Sequence, residues 1–71
     1  MKLPRDVTGA EAVRALQRHG FVLVRQTGSH QILRKASVSV VVPQHKSLKP
    51  GTLKGLIAQA GLSVPKFLEE L

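Results

Sequence analysis

Two histidines stand beside turn-forming residues in a strongly basic chain. His30 closes the tripeptide Gly28-Ser29-His30, and His45 ends the run Val42-Pro43-Gln44-His45. An imidazole titrates near neutral pH, so it can accept or donate a proton during a reaction, and nearby cations can offset the charge of a phosphate. This combination suits the cleavage of a polyanion such as RNA. Both histidines can also be read as ordinary turn or loop residues, and their spacing leaves the two interpretations open.

Further residues around the histidines are candidates for contacting substrate. Gly28 and Ser29 form a turn in either interpretation, and the small size of glycine also lets a backbone approach a phosphate closely. The cations that flank the two histidines along the chain are Arg25, Arg34, Lys35, Lys46 and Lys49. Arg25, Arg34 and Lys35, taken individually, are more often solvated strand residues, whereas Lys46 and Lys49 would suit phosphate contacts. Lys46 and Lys49 precede a predicted helix, whose N-terminus favours anions.

Length and charge indicate one small domain, residues 1–71, with an acidic partner. Eleven Lys and Arg against four Asp and Glu give a formal net charge of +7. Such a field favours nucleic acid over an acidic protein or an anionic membrane, because the cations are spread through every segment and no stretch resembles a membrane-surface helix. The only aromatic residues, Phe21 and Phe67, fall at predicted core positions. We therefore expect contacts with RNA phosphates and 2′-hydroxyls and little base stacking.

The composition also limits compartment and cofactors. The chain has no cysteine, which favours a reducing cytoplasm over secretion. We expect no signal peptide in the N-terminal segment and no membrane span, because the longest apolar runs are too short. The spacing of the three histidines matches no metal-ligand motif, so we expect no metal and no cofactor. No small-molecule substrate is expected.

Capping signals and periodicity predict six elements. Thr8 and Glu11 form a capping box before a helix over 9–19, which ends at Gly20 with His19 as a cap favoured by the helix dipole. Runs rich in β-branched residues predict strands over 21–26, 30–35 and 38–43, with turns at Thr27-Gly28 and Ala36-Ser37. Pro50 and Ser63 start helices over 50–60 and 64–70, the second with an apolar stripe of Phe67, Leu68 and Leu71.

The element order is α-β-β-β-α followed by a short helix, which defines an α+β fold. Short connections between the strands predict a three-stranded antiparallel meander, with the helices packed on one face and Ser39 on the other. The facing of the second strand stays open. His30, Ile32 and Arg34 share one face while Gln31, Leu33 and Lys35 share the other, and neither set is cleanly apolar.

The ordered residues resemble the HicA toxin family over nearly the whole chain. The resemblance rests on His19-Gly20-Phe21, Gly28-Ser29-His30, Val40-Val41-Val42-Pro43-Gln44-His45, Leu48-Lys49-Pro50-Gly51-Thr52-Leu53, Leu56-Ile57, Gly61-Leu62-Ser63 and Phe67-Leu68. It implies a fold similar to the double-stranded-RNA-binding domain and the cleavage of mRNA. It also implies neutralisation by a HicB-like antitoxin protein. The family's catalytic histidine corresponds to His30, and Gln31 stands where many members have a second histidine.

Three hypotheses follow. In the first, the chain is an endoribonuclease toxin that needs no metal, with His30 in proton transfer and His45 either a second proton-transfer group, a phosphate contact or a loop residue. In the second, the same fold is a basic RNA-binding module without catalysis. In the third, it is an adaptor for an acidic protein, with little affinity for RNA at low salt.

Overall fold

The computed structural model describes residues 3–71. Its elements, in chain order, are α1 (Gly9–Arg18), β1 (Val22–Thr27), β2 (His30–Lys35), β3 (Val38–Pro43), α2 (Pro50–Gln59) and α3 (Val64–Glu69). The three strands form one antiparallel sheet in the order β1-β2-β3. The predicted α+β fold with a three-stranded meander is confirmed. Met1 and Lys2 lie outside the described residues. They are the first two residues of the predicted domain and of the segment in which we expect no signal peptide.

Each helix begins at a residue whose side chain or ring suits that position. Thr8 and Glu11 exchange hydrogen bonds of 3.0 Å in the predicted capping box of α1. Pro50 occupies the first turn of α2, where a missing N–H costs nothing. The hydroxyl of Ser63 accepts a hydrogen bond from the Lys66 N–H at the start of α3. Local chemistry therefore fixes the starts of all three helices.

The helices cover one face of the sheet, and the core lies between the two layers. α1 and α2 pack mainly against β2 and β3. Leu33 of β2 and Val40 of β3 are fully buried and pair across the two strands, which shows that their face is the one under the helices. The remaining fully buried large side chains are Leu16, Val42, Leu53, Ile57 and Phe67.

The burial of Leu33 settles the facing of β2. Because side chains alternate along a strand, Gln31 and Lys35 share the helix-covered face with Leu33, and His30 and Arg34 lie on the other face. We call that second, uncovered face the open face. The cross-strand register assigns to it Val22, Arg25, Thr27, His30, Ile32, Arg34, Ser39, Val41 and Pro43. Ser39 lies where the sequence predicted it.

The structure corrects two local details of the sequence interpretation. The first turn falls at Gly28-Ser29 rather than Thr27-Gly28, because Thr27 still pairs with His30 and β1 runs over 22–27 instead of the predicted 21–26. The apolar stripe of α3 is narrower than expected. Phe67 is fully buried and Leu68 is half-buried, but Leu71 lies beyond the helix and is 40% exposed.

α1 and α3 are joined at their ends by side-chain contacts. His19 is the C-cap of α1, and its Nε2 lies 2.9 Å from the carbonyl oxygen of Lys66. The Arg18 guanidinium donates to the carbonyl oxygen of Glu70 at 2.8 Å. His19 therefore holds the terminal helix against the first one, in addition to its position at a helix C-terminus.

Candidate active site on the open face of the sheet

His30 is positioned by a two-residue hairpin turn. Gly28 has φ 54°, a left-handed conformation that favours glycine, and Ser29 completes the turn before β2 begins. His30 pairs with Thr27 on one side and with Pro43 on the other. It is therefore held at the turn end of the central strand, with its exposed side chain on the open face.

Backbone contacts bring the loop after β3 to the same end of the sheet. The Gln44 N–H donates to the carbonyl oxygen of Ser29 at 2.6 Å, which ties this loop to the β1–β2 turn. The carbonyl oxygen of the next residue, His45, accepts from the Gly9 N–H at 2.9 Å. His45 thus lies at the sheet end that carries His30, and its side chain is exposed.

Gly9 is the residue that permits this arrangement. A Cβ at that position would overlap the carbonyl oxygen of Pro43 and come within 2.8 Å of the Cα of Gln44. The first residue of α1 therefore packs directly on the backbone that leads into the loop. Since the overlap is with backbone atoms, a larger residue would displace the loop that carries His45.

The predicted cations are divided between three places. Arg25 pairs with Ile32, two residues along β2 from His30, and lies with His30 on the open face. Arg34 shares that face but lies four residues from His30, or about 13 Å along the strand. Its Nε also donates to the carbonyl oxygen of Ala36 at 3.0 Å, so it supports the β2–β3 turn. Arg25 is consequently the strand cation nearer to His30.

Lys35 lies apart from the other candidates. It follows Leu33 by two residues and occupies the helix-covered face of the sheet. Its Nζ donates to the carbonyl oxygen of His19 at 2.8 Å, at the C-terminus of α1. The structure does not bring Lys35 together with His30, and the ammonium group serves the junction between the sheet and the first helix.

Lys46 and Lys49 are exposed in the loop before α2. Lys49 is the N-cap of α2, and no side chain caps that helix start. It also lines a shallow groove of about 370 Å³, together with Arg5, Asp6, Ser47, Leu48 and Pro50. The groove exists because the Leu48 N–H donates to the carbonyl oxygen of Val7 at 2.7 Å, which draws the segment before α1 against the loop.

Two features near the candidate site were missed in the sequence. Thr27 was assigned to the turn, yet it lies directly opposite His30; a strict two-residue hairpin rule would have placed it there. Arg5 joins Lys49 in the groove from a segment more than forty residues away in the chain. No local pattern announces such a contact, because it depends on how the N-terminal segment pairs with the loop.

The sheet and the loop before α2 carry only positive charges of their own, although Asp6 reaches that loop and accepts a hydrogen bond from the Ser47 hydroxyl at 3.4 Å. Residues 12–68 contain no aspartate or glutamate, so the whole sheet and the loop before α2 lack carboxylates. Within residues 3–71 the one ion pair joins Lys66 to Glu69, at 4.0 Å on the surface. The cations around His30 are therefore available to an external anion.

The capping box of α1 acts on the carboxyl group of Glu11. The Thr8 N–H donates to it in the capping box, and together with the Thr8 hydroxyl contact this lowers the pKa of Glu11.

Within residues 3–71 no three His, Asp or Glu side chains gather as a metal site. In the same part of the chain no helix is long and apolar enough to cross a membrane.

The fold and the site define a small basic α-β-β-β-α domain similar to the double-stranded-RNA-binding domain, with a histidine at the turn end of its central strand. Residues 9–62 match the model of a family described as the HicA toxin of bacterial toxin–antitoxin. This match spans more than half of the chain, and the chain belongs to the HicA toxin family. A search of the curated proteins finds no match.

Proposed function

We propose that this toxin is an endoribonuclease that cleaves mRNA without a metal ion, with His30 in proton transfer. Membership of the HicA family supports the proposal, since proteins of that family are generally mRNA-cleaving toxins. The observation that supports a role for one particular residue is the position of His30 in the fold. It is an exposed imidazole at a hairpin turn, on a face that also holds Arg25 and carries no carboxylate.

The cleavage reaction needs three kinds of group from the protein: a base, an acid and cations. A base removes the proton from the ribose 2′-hydroxyl as its oxygen attacks the adjacent phosphorus. An acid protonates the departing 5′ oxygen, and cations stabilise the pentacoordinate phosphorus dianion. The products are a 2′,3′-cyclic phosphate and a 5′-hydroxyl. His30 supplies one of the two proton transfers, and the sequence and the fold leave the choice between base and acid open.

The other candidates have roles graded by their distance from His30. His45, at the same sheet end, is a candidate for the second proton transfer or for a phosphate contact. Gly28 and Ser29 shape the turn and bring its backbone close to substrate. Arg25 neutralises phosphate on the open face, and Lys46 and Lys49 extend the contact along the loop. Arg34 and Lys35 hold a turn and a helix end, so we assign them the smaller share of RNA binding.

The biological setting completes the proposal. A toxin of this family is paired with an antitoxin, and we propose a HicB-like protein that covers the basic open face. We propose that both act in the cytoplasm, where mRNA is found. The alternative is a basic RNA-binding module of the same fold, which is favoured by the absence of any described hydrogen bond that orients the His30 ring.

Cleavage chemistry separates the two functions. The purified chain is incubated in EDTA with a labelled single-stranded RNA and with the same sequence carrying 2′-O-methyl groups throughout. We expect fragments ending in 2′,3′-cyclic phosphate from the RNA and none from the methylated strand, because the nucleophile is blocked. Binding of both strands with steep salt dependence and no fragments from either would establish the non-catalytic module instead.

A further inference from the structure

β1 is an exposed edge strand of the sheet. It forms the outer edge of the sheet, beyond β2, and α1 and α2 pack mainly against the other two strands. All six of its residues are exposed. Val22 and Val24 are 62% and 56% exposed, and even Leu23, on the helix side of the sheet, is 39% exposed. The run Val22-Leu23-Val24, which we call the edge segment, is therefore an apolar strand without cover.

The edge segment lacks most of the devices that protect natural sheet edges. Proteins usually place lysine or proline on an edge strand, shorten it or cover it. β1 has six residues and contains neither lysine nor proline. The opposite edge is better protected, because β3 ends in Pro43, packs against α2 and is met by the start of α1 at Gly9. A bulge between Leu23 and Arg25 adds a local twist to β1, and all six residues of the strand are exposed.

The chemistry of the edge segment selects its partner. An aliphatic strand with free backbone amides and carbonyls matches an added β-strand, whereas RNA would leave the valines and the leucine exposed. A second copy of this chain is disfavoured because each copy carries a net charge of +7. Arg25 continues the same strand, and Arg34 lies beside Val22 on β2. Carboxylates on the incoming strand would face these cations.

We propose that the edge segment is a docking site for an extended, acidic segment of a partner protein, which adds a fourth strand beside β1. The inference rests on the proposed function in one respect: a toxin needs a neutralising protein partner, and this site gives the way in which that partner attaches. The site is separate from His30, which lies on the central strand. One strand of an antitoxin could therefore bind the edge segment through backbone hydrogen bonds while the rest of the antitoxin covers the open face.

The test uses a synthetic probe whose backbone can be altered without changing its charge. A fluorescent peptide of alternating valine and glutamate is titrated with the full chain and followed by anisotropy. The first control peptide carries an N-methyl group on every backbone amide, so that neither of its edges can donate to β1, and the second replaces glutamate by lysine. We expect the N-methylated peptide to bind at least about tenfold more weakly, since several hydrogen bonds of about 1 kcal/mol each are lost. The lysine peptide is expected not to bind.

Matched variants locate the site on the protein. Val24→Lys places a charge on the edge segment, and Val41→Lys changes a valine of similar exposure, 44%, on β3. We expect only Val24→Lys to weaken the glutamate peptide, and amide hydrogen exchange in β1 to slow when the peptide binds. Equal binding of the N-methylated peptide, equal effects of the two variants or no binding at low salt would each overturn the proposal. So would self-association of the chain that Val24→Lys abolishes.

The outcome is distinguishable from that of the proposed function. Val24→Lys should leave RNA cleavage unchanged, and His30→Ala should leave peptide binding unchanged. Cleavage of RNA without peptide binding would refute the docking site and leave the proposed ribonuclease standing. Peptide binding at β1 without cleavage of RNA would refute the ribonuclease and leave the docking site standing.

Discussion

His30 takes its position from the backbone. The strand pairs with Thr27 and Pro43 place it, and the turn before it is closed by Gly28 and Ser29. Within residues 3–71 no hydrogen bond to its ring is present, and the side chain is exposed. Substitution of this residue is therefore expected to change stability by no more than about 0.5 kcal/mol. Loss of function in such a variant would report on chemistry rather than on folding.

Arg25 and Lys35 provide a residue-scale test of which cations meet RNA. Arg25→Ala is expected to weaken RNA binding and to lower the slope of log affinity against log salt by about 1, as expected for one lost phosphate contact. Lys35→Ala is expected to change that slope less than Arg25→Ala does and to lower the free energy of unfolding, because its Nζ donates to the carbonyl oxygen of His19 at the end of α1. Salt titrations of both variants make the measurement. A larger slope change for Lys35→Ala would contradict the assignment of faces.

Ala36 occupies a conformation that an L side chain rarely adopts. Its φ is 54°, at the first position of the β2–β3 turn. The left-handed region costs a non-glycine residue about 1–2 kcal/mol, and glycine removes that cost but adds freedom to the unfolded chain. We expect Ala36→Gly to raise the free energy of unfolding by roughly 0.5–1 kcal/mol in urea. Ser37→Gly, one residue on without a positive φ, is the control and should give no increase.

At the scale of elements, α1 is the helix that organises the site end of the sheet. Its first residue packs on Pro43, and its capping box fixes where the helix begins. Thr8→Ala removes the hydroxyl acceptor of the Glu11 N–H and is expected to cost about 1 kcal/mol of unfolding free energy. Urea denaturation beside Ser37→Ala, a turn residue without a described side-chain hydrogen bond, makes the comparison. An unchanged midpoint in Thr8→Ala would show that the cap is dispensable.

The capping box also predicts a pH dependence. The pKa of Glu11 is lowered in the folded chain, chiefly by the hydrogen bond from the Thr8 N–H. A group with a lowered folded pKa stabilises the fold above its unfolded pKa and loses that contribution as pH falls through the folded pKa. The stability advantage of the wild type over Glu11→Gln should therefore shrink as the solution is acidified below the ordinary range of glutamate. An advantage that is constant from neutral pH to pH 3 would contradict this account.

The element pattern was predictable because its signals are local. The capping residues Thr8 and Ser63 and the proline at position 50 each act within one helical turn. The facing of β2 was not predictable in this way, since Ile32 and Leu33 are both aliphatic and adjacent. The pairing of Leu33 with Val40 beneath the helices decides it, and that is a tertiary contact. Thr27 was placed in the turn for a related reason: a one-residue shift of the hairpin leaves the local composition unchanged.

At the scale of the whole molecule, the two faces of the sheet differ in charge and in whether helices cover them. The helices cover one face of the sheet, and the four acidic residues are confined to the two ends of the chain. The open face and the loop before α2 are left positive, and His30 lies at the end of the open face to which the loop is tied. The composition predicted an anionic partner, and the fold adds where that partner would meet the protein. The contribution of Arg5 to the groove beside Lys49 required the folded chain, because the two residues are brought together only by the loop contacts.

The most direct test of the central claim is the ratio of RNA cleavage rates between the wild type and His30→Ala, measured in EDTA. Gln31→Ala, a neighbour on the helix-covered face of the same strand, is the matched control. Loss of a proton-transfer group predicts a ratio of about 10²–10⁴ for His30→Ala and a rate near that of the wild type for Gln31→Ala. Equal cleavage by the wild type and His30→Ala, with both folded, would contradict the assignment of His30 as the catalytic residue.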